Sequence, residues 1–65
     1  MQNSRRVSFD VGDTVKFQMP VDAVDIGVVQ GIDGFYIYIN ITALDGNSYV
    51  IERYDNEILE CLTSH

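Results

Sequence analysis

Few residues of this chain are suited to covalent chemistry. It contains a single cysteine, Cys61, and a single histidine, His65, the last residue. Nucleophilic catalysis needs a nucleophile, a base within hydrogen-bond reach and a group that orients the base. A terminal imidazole is poorly placed for that work. Cys61 stands close to Leu59 and Leu62, a setting that suits a small packed hydrophobe better than a reactive thiolate. One cysteine excludes an intrachain disulfide. One Cys and one His fall short of the roughly four ligands of a structural zinc, so neither a metal nor a cofactor is expected. Paired carboxylates can hydrolyse glycosides, but 65 residues leave little room for a substrate cleft. The aspartates also fall in turn-like stretches, where Asp serves turn chemistry. There is no phosphate-binding loop, EF-hand spacing or dinucleotide fingerprint. The expectation is a protein that is not an enzyme.

The charge is more informative. Ten acids oppose four bases, a net charge of −6. Arg5 and Arg6 lie in the first six residues, so from Val7 onward Lys16 and Arg53 alone face all ten acids, two against ten, or −8. Proteins that hold nucleic acid neutralise phosphates with Lys and Arg. Direct DNA or RNA binding is therefore not expected, and a partner with a basic surface is. The same charge also keeps a small domain soluble. No run approaches the roughly 20 apolar residues of a membrane span. No apolar stretch follows Met1–Arg6 in the manner of a secretory signal, so a cytoplasmic protein with no membrane partner is expected.

At 65 residues the chain makes one domain with a small core, and dimerisation is one way such a domain gains stability. Residues 1–6 are polar and read as a tail, with the domain spanning 7–65. Thr14–Met19 alternates cleanly, placing Val15, Phe17 and Met19 on one face, the period of a half-buried strand. Pro20 is expected to end that ladder, and Val21–Asp25 reads as a loop carrying Asp22 and Asp25. In Ile26–Ile32, Gly27 and Gly31 suggest bending or a bulge, and Asp33-Gly34 is a hairpin signal. Phe35, Ile37, Ile39 and Ile41 form one face of the next run, with Tyr36, Tyr38, Asn40 and Thr42 on the other. Asp45-Gly46-Asn47 makes a turn. In Ser48–Tyr54 the set Tyr49, Ile51, Arg53 and the set Val50, Glu52, Tyr54 are equally plausible inner faces. Asp55–Leu62 reads as a short helical turn with Asp55 as N-cap and an apolar stripe of Ile58, Leu59 and Leu62 lying over an open end of the sheet.

These runs predict an all-β fold, a small SH3-like barrel of four to five antiparallel strands with a short C-terminal helical turn. The motif Val11-Gly12-Asp13-Thr14-Val15-Lys16-Phe17, followed by Gly27-Val28-Val29, Tyr49-Val50-Ile51 and Ile58-Leu59, resembles SH3-like barrels of the KOW and Tudor type over residues 11–59. The resemblance implies the fold and leaves function open. KOW-type barrels contact RNA with basic residues that this chain lacks. Peptide-binding SH3 domains carry a groove Trp, and there is no Trp here. Tudor-type barrels hold methylated Lys or Arg with aromatics and acids, and both are present.

If the isoleucines of the third run point inward, Tyr36 and Tyr38 point outward. Tyr offers large contact area, low entropy cost and a polar tip, although it is also simply a good strand former. With Tyr49 or Tyr54 and Glu52 from the next strand, and Asp22 and Asp25 from the preceding loop, these residues are the candidate partner-binding set. The sequence thus points to a non-catalytic module docking to a basic or cationic protein. Two alternatives stay open: a small phage-type inhibitor whose carboxylates imitate nucleic acid on a DNA- or RNA-binding enzyme, and a self-assembling structural subunit.

Overall fold

The computed structural model describes residues 7–63; the tail expected at 1–6 and the terminal His65 lie outside the described residues. Five strands, β1 (Thr14–Val21), β2 (Val24–Asp33), β3 (Tyr36–Thr42), β4 (Ser48–Tyr54) and β5 (Ile58–Cys61), form one sheet in the order β4-β3-β2-β1-β5. All four pairings are antiparallel. A single 3-10 turn, Asp55–Glu57, separates β4 from β5. The fold is all-β, and this order, with β5 returning beside β1 after a 3-10 turn, is consistent with an SH3-like barrel.

The core is one cluster, Val15, Phe17, Val29, Ile37, Ile39, Ile41 and Ile58, with Val7, Phe9, Val21, Val24, Ile51 and Cys61 packed around it. Alternation accounts for Val15 and Phe17 on β1 and for the three isoleucines on β3. It fails at both ends of the pattern. Met19 is exposed and has a φ of 63°. Between the pairs Lys16–Ile26 and Val21–Val24, four residues of β1 stand opposite one of β2. This bulge breaks the two-residue period and turns Met19 outward. It also corrects the expectation for Pro20, which lies within β1: in an unpaired bulge its missing N–H removes no ladder bond. Phe35, expected inside, is 70% exposed. It occupies the β2–β3 turn beside Gly34, whose φ of 63° meets the demand of a two-residue turn with Gly first.

The expected loop at Val21–Asp25 is instead a two-residue hairpin turn, closed by the Val21–Val24 pair. Asp22 and Ala23 have φ of 48° and 68°, the double positive φ of a type I′ turn. Asp tolerates this conformation, whereas Ala does not adopt it readily. Ala23→Gly is therefore expected to raise stability by about 0.5–1 kcal/mol, the relief of strain exceeding the added entropy of the unfolded chain. Urea unfolding of the two proteins checks it; an unchanged or lower midpoint would count against a strained Ala23.

At the C-terminal end the helical turn is confined to Asp55–Glu57, and its N-cap is Tyr54, not Asp55. The Tyr54 N–H donates to the Glu57 carboxylate at 2.7 Å. Of the residues expected as a helical stripe, Ile58 and Leu59 belong to β5 instead, Ile58 buried and Leu59 exposed, and Leu62 lies exposed just beyond its end. Pairing of β5 with β1, Val15 to Cys61 and Phe17 to Ile58, places this stretch in the sheet ladder, where its backbone groups find partners across the strands.

Candidate functional site

The β3–β4 register sets the geometry of the candidate site. Tyr36 stands opposite Tyr54, Tyr38 opposite Glu52 and Asn40 opposite Val50. Directly opposed residues share a face of the sheet, and since Ile37, Ile39 and Ile41 are buried on one face, this set lies on the other. The register thereby settles the two-faced reading of β4: Ile51 and Arg53 face the core side, and Val50, Glu52 and Tyr54 face out. Tyr54, and not Tyr49, is the neighbour of Tyr36, because Tyr49 pairs with the buried Ile41. Asp22 and Asp25 belong to the β1–β2 hairpin, outside the β3–β4 pairing. Asp33, which the pattern alone did not single out, pairs with Tyr36 from β2, and exposed Val50 extends the patch along β4. Both follow from register, which no single-strand pattern reveals.

The rings of Tyr36 and Tyr54 are tilted by 34° with centroids 5.2 Å apart, within the range of favourable aromatic pairs. They are 43% and 51% exposed. The Tyr36 hydroxyl has its pKa raised above the usual tyrosine value, chiefly by hydrogen bonding to Tyr54 and then by the charge Tyr54 acquires on ionising. Loss of surrounding water and the charges of Glu52 and Tyr38 add to it. A group whose folded pKa is raised contributes stability that is present below its unfolded pKa and lost as pH rises through the folded one. Stability is therefore expected to fall above about pH 10, with Tyr36 ionising later than a free tyrosine. Phenolate absorbance in wild type and Tyr54→Phe checks this; an unshifted titration in both would remove the coupling.

The two cations from Val7 onward are placed elsewhere. Lys16 stands opposite Glu60 on β5. Arg53 spans from β4 to the β1 bulge: its Nε donates to the Gln18 carbonyl at 3.0 Å, one Nη to the Met19 carbonyl and the other to the carbonyl of the preceding residue, Glu52, at 2.7 Å. Its guanidinium carbon lies 5.3 Å from the centre of the Phe17 ring, within cation–π range. The outward Tyr–Glu patch thus carries acid without a cation from β3 or β4 on its own face.

A second feature is an open cleft of about 520 Å³, walled by Val7, Phe9, Ile32 and Ile37 and bearing Asp10, Asp13 and Asp55. Asp13 is almost wholly buried, and its carboxylate accepts from the Asp10 N–H at 2.9 Å. With Gly12 at a φ of 97° and its N–H donating to the Val29 carbonyl, this is a turn that anchors the chain to β2. The Gly12-Asp13 motif is accounted for by that structural role. Among the described residues no group of three or more His, Cys, Asp or Glu is placed to hold a metal ion, and no helix is long and apolar enough to cross a membrane. Comparison with protein-family models, with curated proteins and with solved structures finds no match.

Proposed function

We propose that this protein is a non-catalytic binding module that docks to a basic or cationic protein surface through Tyr36, Tyr38, Tyr54 and Glu52. The observation that carries the reading is the exposed Tyr36–Tyr54 pair beside Glu52, in a chain of net charge −6 whose Lys16 and Arg53 lie off that patch. Exposed aromatic rings attract cations through their faces, a neighbouring carboxylate adds a charge-assisted hydrogen bond, and the field of the whole domain steers cationic partners. The resemblance to SH3-like barrels of the KOW and Tudor type fits a binding role, the Tudor-like combination of aromatics and acids better than the basic KOW surface.

With no Trp in the chain and three of its four tyrosines on this patch, tyrosine emission reports directly on docking. Titration with an oligoarginine peptide is expected to quench it. Tyr36→Ala with Tyr38→Ala is expected to weaken binding at least about tenfold while the domain stays folded. A folded double mutant that binds as well as wild type would overturn the reading. Asp22 and Asp25 lie outside the patch, and their replacement by Asn is expected to alter only the salt dependence.

A second reading, an acidic inhibitor imitating nucleic acid on a DNA- or RNA-binding enzyme, draws on the two-against-ten balance of charges from Val7 onward. It requires binding that weakens steeply with salt, whereas an aromatic-anchored contact persists into high salt.

A further inference from the structure

The sheet ends at β4, and among the described residues no strand lies beyond it. In an antiparallel ladder, alternate residues direct their N–H and C=O groups toward the neighbouring strand and away from it. Two hydrogen bonds give the phase of β4. The Tyr54 N–H is taken by the Glu57 carboxylate and the Glu52 carbonyl by the Arg53 guanidinium. Both bonds lead away from β3, so the even-numbered residues of β4 face the open edge. One end of that edge is covered by these two contacts. The stretch from Ser48 to the Glu52 N–H is left without a strand beside it, and Val50 at its centre is 54% exposed.

We propose that this edge accepts an extended segment of a basic partner protein as a sixth, antiparallel strand. The proposal rests on the docking role argued above and specifies how the partner attaches. The occupant follows from charge and position. Open strand edges pair with extended chains. Residues of an added strand directly opposite Val50 and Glu52 project onto the same outer face. There they meet Glu52, with the Tyr36–Tyr54 pair next along the sheet, so a Lys or Arg fits opposite Glu52. A second copy of this chain is a poor occupant, since it brings a second net charge of −6 to the same edge.

The phase makes a specific prediction. With lysines on the outer face, it is the lysine amides of the added strand that pair with the even-numbered residues of β4. The probe is a hexapeptide of alternating lysine and valine, blocked at both ends, together with two N-methylated forms. Methylation of the lysine amides is expected to weaken binding about tenfold or more through lost backbone hydrogen bonds. Methylation of the valine amides points outward and is expected to leave binding unchanged. Val50→Pro removes an edge-facing donor without touching the β3 ladder and is expected to lose the unmethylated peptide, as is Glu52→Lys. If Val50→Pro does not fold, the methylated pair tested on the wild-type chain carries the decision. Equal binding of all three peptides would mean attachment by charge alone, which overturns strand addition and leaves the docking role standing. No binding of any of them overturns it as well, while the oligoarginine titration separately tests the docking role. A wild-type dimer in sedimentation that Val50→Pro converts to monomer would show a second copy on the edge and overturn the partner assigned here.

Discussion

Replacing Gly27 by alanine is expected to cost this domain about 3 kcal/mol, most of the margin available to a single small core. A Cβ at Gly27 would lie 2.6 Å from the Asn40 carbonyl oxygen and 2.6 and 2.8 Å from the Cγ2 atoms of Ile39 and Ile41. The two isoleucines are fully buried members of the core and cannot swing aside without opening it. Asn40 is paired with Val28, so its carbonyl moves only with the β2–β3 ladder. Overpacking a well-packed site costs roughly 1–3 kcal/mol, and contact with backbone places this substitution at the upper end. Gly31→Ala is the internal control: its added methyl meets the Tyr38 ring at 3.6 Å, an ordinary contact, and a change well under about 1 kcal/mol is expected. Urea midpoints of both variants test the pair. Equal midpoints would mean that the approach of β3 to Gly27 is not tight.

The second large effect is expected at Arg53. Its fork gathers the carbonyls of Gln18, Met19 and Glu52 and lies over Phe17, tying β4 to the bulge of β1, strands that are not neighbours in the sheet. Arg53→Met keeps much of the stem and removes every donor. The carbonyls lie near water and regain part of their hydrogen bonding there, so about 2 kcal/mol is expected, below the sum for three bonds to a charged donor. Arg53→Lys should recover little, because an ammonium is a point donor and cannot span acceptors arranged around a planar fork. Amide exchange in wild type and variants tests the tie: the β1 bulge should exchange faster while β2 and β3 keep their protection. Uniform loss of protection would instead make Arg53 a global stability determinant with no special link to the bulge.

Arg53 also shows how a charge tally misleads when read as a surface. From the sequence it is one of two cations from Val7 onward in an acidic domain. In the fold its charge is spent on backbone carbonyls made accessible by a bulge 34 and 35 positions away in the chain. The outward face of β3 and β4 therefore keeps Glu52 without Arg53 beside it on that face.

Local alternation and turn chemistry already marked much of the molecule. Val15, Phe17, Ile37, Ile39 and Ile41 were legible as core residues, as were the outward direction of Tyr36 and Tyr38 and the turns at Gly34 and Gly46. Those features depend on neighbours two to four residues apart, where the strand period and the demand for positive φ act directly. Other features depended on what lay across the sheet. The bulge exposed Met19 and housed Pro20. The Gly34–Phe35 turn brought Phe35 into solvent. Pairing with β1 drew Ile58–Cys61 into a strand instead of a helix. Register chose between two equally apolar faces of β4, joined Tyr54 to Tyr36 and sent Tyr49 to the other side. A strand carries its own period within it, but its partner, its register and its open edge are set by backbone hydrogen bonds between segments far apart in sequence.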